Sequence, residues 1–417
     1  MDYTVLLQGK TDCPCGRVHA CPIDFVEIGS GAVAKLPLLT GEYRNILLVA
    51  DENTYRVQGR EVEELLSGKL AGKLIYSGST VLVPDENAID RLQALVNEKT
   101  DLIVGVGSGV VNDLCKYVSY QNDLPYYIVA TAPSMDGYAS NGAALILNGM
   151  KISPNARPPK AIIADTRVLK DAPMDMLQAG YGDIMGKLSC LNDWQLARLI
   201  NNEYFCEYVY NLTYKTVKEL QPLAGRILQR EESAVGLLMQ ALVTVGIAMS
   251  FVGNSRPASG SEHHLSHFFE ITGIVHDRPY YPHGIDVAYS SIVTAKLRQK
   301  LLECEPERKP FVRDAWIPEM RRIYGSVSDG VIELQDRLDS YRVYADNTEK
   351  TDWAQIKACL AQAPTSAEMQ AIIESVGLKY EEFEGFYGSA VLADAIRWGK
   401  DLKDRYTVLW LYDQFVK

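Results

Sequence analysis

Five short apolar runs rich in β-branched residues recur through the first 170 residues and then stop, and this limits the possible folds of the 417-residue chain more than any other feature. The runs cover 46–50, 74–77, 102–106, 127–130 and 161–164, with amphipathic stretches at 57–68, 87–98 and 110–121 between them. Strands that alternate with helices in this rhythm predict a mostly parallel sheet covered on both faces. From Asp171 onward strand signal almost disappears, and 183–199, 207–230, 232–252, 286–303 and 331–342 read as helices. The expectation is an α/β domain over 1–170 and an all-α domain over 171–417. Asp171-Ala172-Pro173 marks the junction, and Pro154, Pro158 and Pro159 form a loop before the last strand.

A 47% hydrophobic composition is enough to fill two such cores. The net charge of -11 argues against nucleic-acid binding, because neutralising a phosphate backbone needs a basic face. Any anionic ligand must be held by a few local donors. The N-terminus has an early acidic residue and too short an apolar run for a secretion signal. The eight cysteines are scattered, several within periodic apolar segments, as expected for reduced thiols in the cytoplasm. The uncharged stretch 233–253 is long enough to span a bilayer. Gln240 and several hydroxyl residues interrupt it, and a histidine cluster follows within about ten residues, so a core helix packed on all sides is the reading taken, with no membrane insertion.

Between strand and helix, the run 102–116 passes through Gly105, Gly107 and Gly109. Glycine lets backbone N–H groups approach an anion, and the following helix offers its positive end to a pyrophosphate. The spacing is not G-x-G-x-x-G, and ordinary tight turns also use such glycines. Asp51 and the segment Thr131-Ala-Pro-Ser134-Met-Asp136-Gly-Tyr-Ala-Ser140 follow two other strands, at the end where parallel sheets bind ligands. Asp51 is placed to accept from ribose hydroxyls, favouring NAD over NADP; a plain helix N-cap is the alternative.

Five of the six histidines lie between 263 and 283. His263 and His267 are four apart and share a helix face, with Gly260 and Ser261 as its flexible start and cap. One of the pair is free to bind a metal while the other reaches a substrate. A closed four-ligand zinc site would need further Cys or His nearby, so an open site completed by His283 and a carboxylate from elsewhere fits better. Cys13, Cys15, His19 and Cys21 form a second metal-like cluster, but their spacing is tight and irregular, and a surface hairpin with free thiols is the expected structure.

Together, Gly-Val-Gly107-Ser108-Gly109-Val110-Val111-Asn-Asp113, Ala-Pro-Ser134-Met-Asp136-Gly-Tyr-Ala-Ser140, Gly-Tyr-Gly-Asp183, Ser-Arg256-Pro-Ala-Ser-Gly-Ser-Glu-His263 and His283-Gly resemble the glycerol-1-phosphate dehydrogenase family. That family belongs to the iron-dependent alcohol dehydrogenase and dehydroquinate synthase superfamily. The resemblance spans roughly residues 25–300. It implies a dehydroquinate synthase-like fold, with an N-terminal nucleotide-binding α/β domain, a helical C-terminal domain and the active site in the cleft between them. It also implies a divalent ion, zinc or nickel, on Asp183, His263 and His283. NAD or NADP would contact Asp51, Gly107, Ser108, Gly109, Val110, Val111, Asp113, Thr131, Ser134 and Ser140. Asp136 and His267 would hold the substrate, with Asp183 touching both substrate and metal. The cyclising synthases carry glutamate where Asp183 stands, so aspartate fits the dehydrogenase branch.

The reaction so implied is NAD(P)H reduction of dihydroxyacetone phosphate to sn-glycerol 1-phosphate, and its reverse, in a cytoplasmic homodimer. The alternatives are a glycerol or polyol dehydrogenase, a dehydroquinate synthase-like cyclising lyase, and a non-catalytic nucleotide-binding module. Candidate cations for the substrate phosphate are Lys187, one helical turn after Asp183, and Arg256, just before the histidine helix. Lys187 reads equally well as a solvated residue or a helix ion-pair partner.

Overall fold

The computed structural model describes residues 3–416 apart from 80, 148, 149, 153 and 155, so the proline-bearing loop lies partly outside the described residues. The chain divides into two compact units. One is Met1–Gly180 with Pro222–Ser255, and the other is Tyr181–Gln221 with Arg256–Lys417. This differs from a single cut at 170, because the apolar segment 222–255 packs with the sheet-bearing unit.

The strands are β1 (Phe25–Gly29), β2 (Ile46–Asp51), β3 (Leu70–Tyr76), β4 (Leu102–Gly107), β5 (Tyr126–Ala130), the short pair β6 (Leu145–Leu147) and β7 (Met150–Ile152), and β8 (Ala161–Asp165). Six of them form one parallel sheet in the order β1-β8-β5-β4-β2-β3. All five expected runs are strands, and β4 and β5 are buried along their whole length, as their unbroken apolar sequences require. Ile46, Leu48, Ala50, Val104, Val106, Val129 and Ile163 fill one core of this unit. The sequence reading missed β1, a half-exposed edge strand, and the antiparallel pair β6 and β7.

The chain path reverses beside β2: β3 lies on one side of it and β4 on the other. In open α/β sheets such a reversal leaves a crevice beyond the carboxyl ends of the two strands concerned. Those ends are Asp51 and Gly107.

Helix α1 (Gly109–Gln121) follows β4 directly, and α2 (Met174–Asn201) runs for 28 residues. Helix α3 (Glu232–Val252) is the uncharged segment, and 89% of its most apolar stretch is buried, as expected for a core helix. Gly246 on α3 meets the Asp136–Ala139 turn so closely that a β-carbon would stand 2.8 Å from the Asp136 carbonyl oxygen.

In the second unit α4 (Ser261–Val275) and α5 (His283–Glu303) pack together. No strand follows β8 among the described residues. Two expected helices are divided: 207–230 breaks at Gln221–Leu223, which contains Pro222, and 331–342 breaks at Asp339, whose φ is +50°. Leu196, Ile356, Tyr406 and Trp410 belong to a core at the C-terminal end of this unit.

Candidate metal centre and nucleotide turn

At the end of β4 the glycines serve two purposes. A β-carbon on Gly107 would stand 2.6 Å from Val111, and one on Gly105 would stand 2.9 Å from the Cys115 sulfur, so both glycines allow α1 to press against its own strand. Gly109 has room around it, its nearest neighbour being Met135 at 3.4 Å. Ser108 is the N-cap of α1 without making a side-chain cap, and Ser108, Gly109 and Val110 are partly exposed at the helix tip. Backbone donors at that tip suit a pyrophosphate. Val111 faces inward and packs beneath the turn.

The other candidate nucleotide contacts are more firmly tied into the fold. Asp51 is the N-cap foreseen as its plainer role, accepting from the backbone N–H groups of Asn53 and Thr54 in a capping box. Buried Lys116 donates to the carbonyls of Gly137 (2.7 Å) and Gly142 (3.0 Å) and to the Ser140 hydroxyl (3.2 Å), and it pairs with Asp113 at 3.7 Å. Ser140 and Asp113 therefore brace the turn that carries Asp136 and Tyr138. The Thr131 N–H donates to the Gly107 carbonyl, linking the ends of β4 and β5, and Ser134 is partly buried just beyond.

In the second unit, the ligand atoms of Asp183, His263 and His283 lie within 4.8 Å of one another. Glycines explain how α2 and α5 come close enough. A β-carbon on Gly182 would stand 2.6 Å from the Gly284 carbonyl oxygen and from Ala288 Cβ, and one on Gly186 would stand 2.6 Å from Val287. Helix α4 is held at its start by Asp193, which accepts from the Ser261 N–H at 2.7 Å and is paired with Arg298 at 2.9 Å. Gly260 is needed at the N-cap because a β-carbon there would stand 2.6 Å from Cys190 Cα. The cap is thus supplied by Asp193 and not by Ser261.

Each imidazole is oriented by a second partner. The buried Glu262 carboxylate can only accept, so His263 Nδ1–H donates to it at 2.7 Å and Nε2 faces Asp183 Oδ1 at 3.6 Å. The Ser266 hydroxyl donates to the His283 carbonyl oxygen at 3.3 Å, so it receives the His283 Nδ1–H at 3.1 Å. Nε2 is then the atom that each ring would offer to an ion, the usual arrangement of metal-bound histidines. The edge of a tetrahedron of zinc ligands is about 3.4 Å, close to the 3.6 Å between His263 and Asp183.

Burial opposes the charge on Asp183, but Lys187 and the two imidazoles hold its carboxyl well below the usual carboxylate range. Burial and Lys187 push the His263 imidazole down, yet Asp183 and Glu262 outweigh them and its pKa lies above the ordinary value. His264 points the other way: burial, then Arg405, Lys403 and Arg256, keep it neutral in the packing of the unit.

Three further assignments are sharpened. Lys187 is fully buried, with its ammonium 2.6 Å from Asp183 Oδ1, so it is the ion-pair partner and not a solvated residue. Arg256 forms a two-pronged pair with Glu203 and donates to the Tyr406 carbonyl at 3.0 Å, which removes it as a phosphate donor. The His267 ring centroid lies 6.3 Å from that of His263 and 5.3 Å from that of His283, so three imidazoles surround one region, and His267 also groups with Glu270. Sequence reading missed Glu262, Ser266 and Glu270. Glu262 adjoins a histidine, but neighbouring helix residues normally diverge, so only the folded first turn shows the pairing.

The sequence profile of the iron-containing alcohol dehydrogenases matches residues 27–173. This agrees with the fold: a probable glycerol dehydrogenase from Sinorhizobium meliloti superposes with a TM-score of 0.61 at 18% identity, over 94% of this chain and 95% of that one. An iron-containing alcohol dehydrogenase from Corynebacterium glutamicum gives 0.61 at 15% identity, over 95% of each chain. The sequence relatives are more specific. The glycerol-1-phosphate dehydrogenase [NAD(P)+] of Bacillus velezensis is 31% identical over 94% of this chain and 92% of its own length. That of Halalkalibacterium halodurans is 29% identical over 99% of both. The chain belongs to the glycerol-1-phosphate dehydrogenase family.

Proposed function

We propose that this chain interconverts dihydroxyacetone phosphate and sn-glycerol 1-phosphate with NAD(P)(H), using a divalent metal held by Asp183, His263 and His283. One observation carries the proposal: a buried carboxylate and two oriented imidazoles converge in a chain related along its length to enzymes named for this reaction. When bound, the ion supplies Lewis acidity at the reacting oxygen, and the nicotinamide carries the hydride.

The residues of the chain have separable tasks. Glu262 and Ser266 fix the tautomers of His263 and His283. Lys187 neutralises part of the Asp183 charge, which lets that carboxylate stay ionised while buried. His267 is assigned to a substrate hydroxyl and its proton, with Glu270 3.6 Å from its Nδ1 to orient the ring, and Asp136 is assigned to the substrate as well. Ser108, Gly109 and Val110 offer backbone donors to the cofactor phosphates, with Gly107, Val111, Thr131, Ser134 and Ser140 shaping the turn. Asp51 is assigned to the ribose while remaining an N-cap.

The donor set of one oxygen and two imidazole nitrogens favours zinc or nickel. The cytoplasmic assignment rests on eight cysteines that form no disulfide, and the homodimer rests on family resemblance alone. The test is NADH and NADPH oxidation with dihydroxyacetone phosphate, before and after chelation, with zinc and nickel added back, and light scattering for the dimer. Unphosphorylated dihydroxyacetone as the better substrate would favour a polyol dehydrogenase. Turnover that survives full chelation would remove the metal assignment.

A further inference from the structure

The cysteine-bearing N-terminal loop takes no part in the site above, and its geometry is that of a metal site. Cys13, Cys15 and His19 each offer a ligand atom within 4.8 Å of the others, and Cys15 Sγ lies 3.3 Å from His19 Nε2. A zinc ion bound at about 2.3 Å to sulfur and 2.0 Å to nitrogen separates such a pair by roughly 3.5 Å. The cysteines form no disulfide, so both sulfurs can act as ligands.

The surrounding loop sets the ligands in place. Lys10 and His19 exchange two backbone hydrogen bonds, at 2.9 and 2.8 Å, which close the loop at its base. The Gly16 N–H donates to the Cys13 carbonyl at 2.9 Å, turning the chain between Cys15 and His19 with a φ of +80° that favours glycine. Gly9 is equally constrained: its φ is +72°, and a β-carbon would fall 2.1 Å from the His19 carbonyl oxygen. The loop is the expected hairpin, closed by Lys10 and His19, mostly exposed and with its cysteines outside any disulfide, but Cys13 and His19 turn inward, at 8% and 1% exposure.

The His19 ring is oriented as a metal-bound imidazole is. Its Nδ1 lies 2.8 Å from the Phe251 carbonyl oxygen, an acceptor only, so Nδ1 carries the proton. The Nε2 lone pair therefore points at the cysteines, the tautomer and orientation that a carbonyl partner imposes on metal-bound histidines. Cys21, adjacent in sequence, is not a ligand: its thiol turns to Ser250 and the Ile23 backbone, and burial pushes it up to about 11.

We propose that Cys13, Cys15 and His19 bind a zinc ion that pins the N-terminal loop, a site separate from the Asp183 centre. Binding forms two Zn–S bonds and one Zn–N bond and releases the protons carried by the two thiols to solvent. A water or a further thiolate completes the tetrahedron. Cobalt distinguishes the two centres without reference to activity, because sulfur-to-cobalt charge transfer in the near ultraviolet needs thiolate ligands and the Asp183 centre has none.

The experiment loads the full-length protein with Co²⁺ and with Zn²⁺. The expected result is a thiolate charge-transfer band in the unaltered chain and in His263→Ala, absent from Cys13→Ser/Cys15→Ser, with one equivalent of bound zinc lost in that double variant. No thiolate band in the cobalt protein, or a band that survives the double substitution, overturns the proposal. Iodoacetamide labelling of the unaltered protein, mapped by peptide mass spectrometry, avoids dependence on a variant that fails to fold. Zinc should shield Cys13 and Cys15 and chelation should expose them; equal labelling in both states overturns the site.

Discussion

The turn at the end of β4 and the histidine cluster of α4 and α5 use opposite means to prepare for a ligand. The turn offers backbone groups, and its defining residues are those with the least side chain: Gly105 and Gly107 exist to let α1 approach. The histidine cluster depends on side chains, and each of its candidate ligands is held by a further group: Lys187 beside Asp183, Glu262 behind His263, Ser266 behind His283. The turn should therefore respond to changes in volume, and the cluster to changes in charge or in a single hydrogen bond.

His263→Ala gives the largest expected effect. Loss of an ion worth several kcal/mol of charge stabilisation should lower kcat/KM by about a thousandfold, with bound metal falling in parallel and NAD(P) affinity preserved. Loss of cofactor affinity by the same factor would break the separation. Lys187→Met is the next test. In chelated protein it leaves Asp183 buried beside two imidazoles without its ammonium, at a cost of about 3–5 kcal/mol in denaturant unfolding, and added zinc should restore most of this.

Glu262→Gln keeps the shape but weakens the hold on the His263 proton, so metal affinity should fall about 10–100-fold with the melting temperature of the metal-free chain little changed. At the turn, Gly107→Ala should cost about 1–3 kcal/mol by overpacking Val111, and it should weaken cofactor binding measured by fluorescence titration. Gly109→Ala should leave stability within about 0.5 kcal/mol. Equal effects from the two glycines would show that the turn is not governed by volume. Asp51→Ala is the smallest, at about 1 kcal/mol for the lost cap, and Asp51→Asn should recover it.

The same contrast explains what could be read in the sequence. Buried parallel strands are continuous apolar runs, so 46–50 and 102–106 were plain, whereas β1, half exposed at the edge, carries no such signature. The three clustered candidate ligands came from histidine density and from the resemblance to a family, and the structure brings all three together. The groups that orient them were not legible, since a partner such as Ser266 is specified by a rotation about a helix and not by a spacing. Arg256 was misread for a related reason. Its place before the histidine helix suggested an anion site, while its actual partner, Glu203, lies 53 residues earlier in the chain.

The discontinuous first unit also bears on how the chain is made. Helix α3, which packs on the Asp136–Ala139 turn, leaves the ribosome only after a stretch belonging to the other unit. At about 5–20 residues per second, the interval between residues 180 and 255 is roughly 4–15 s. Throughout it, the nascent sheet lacks the helix that covers this turn, and its apolar surface stays open to a chaperone or to another nascent chain.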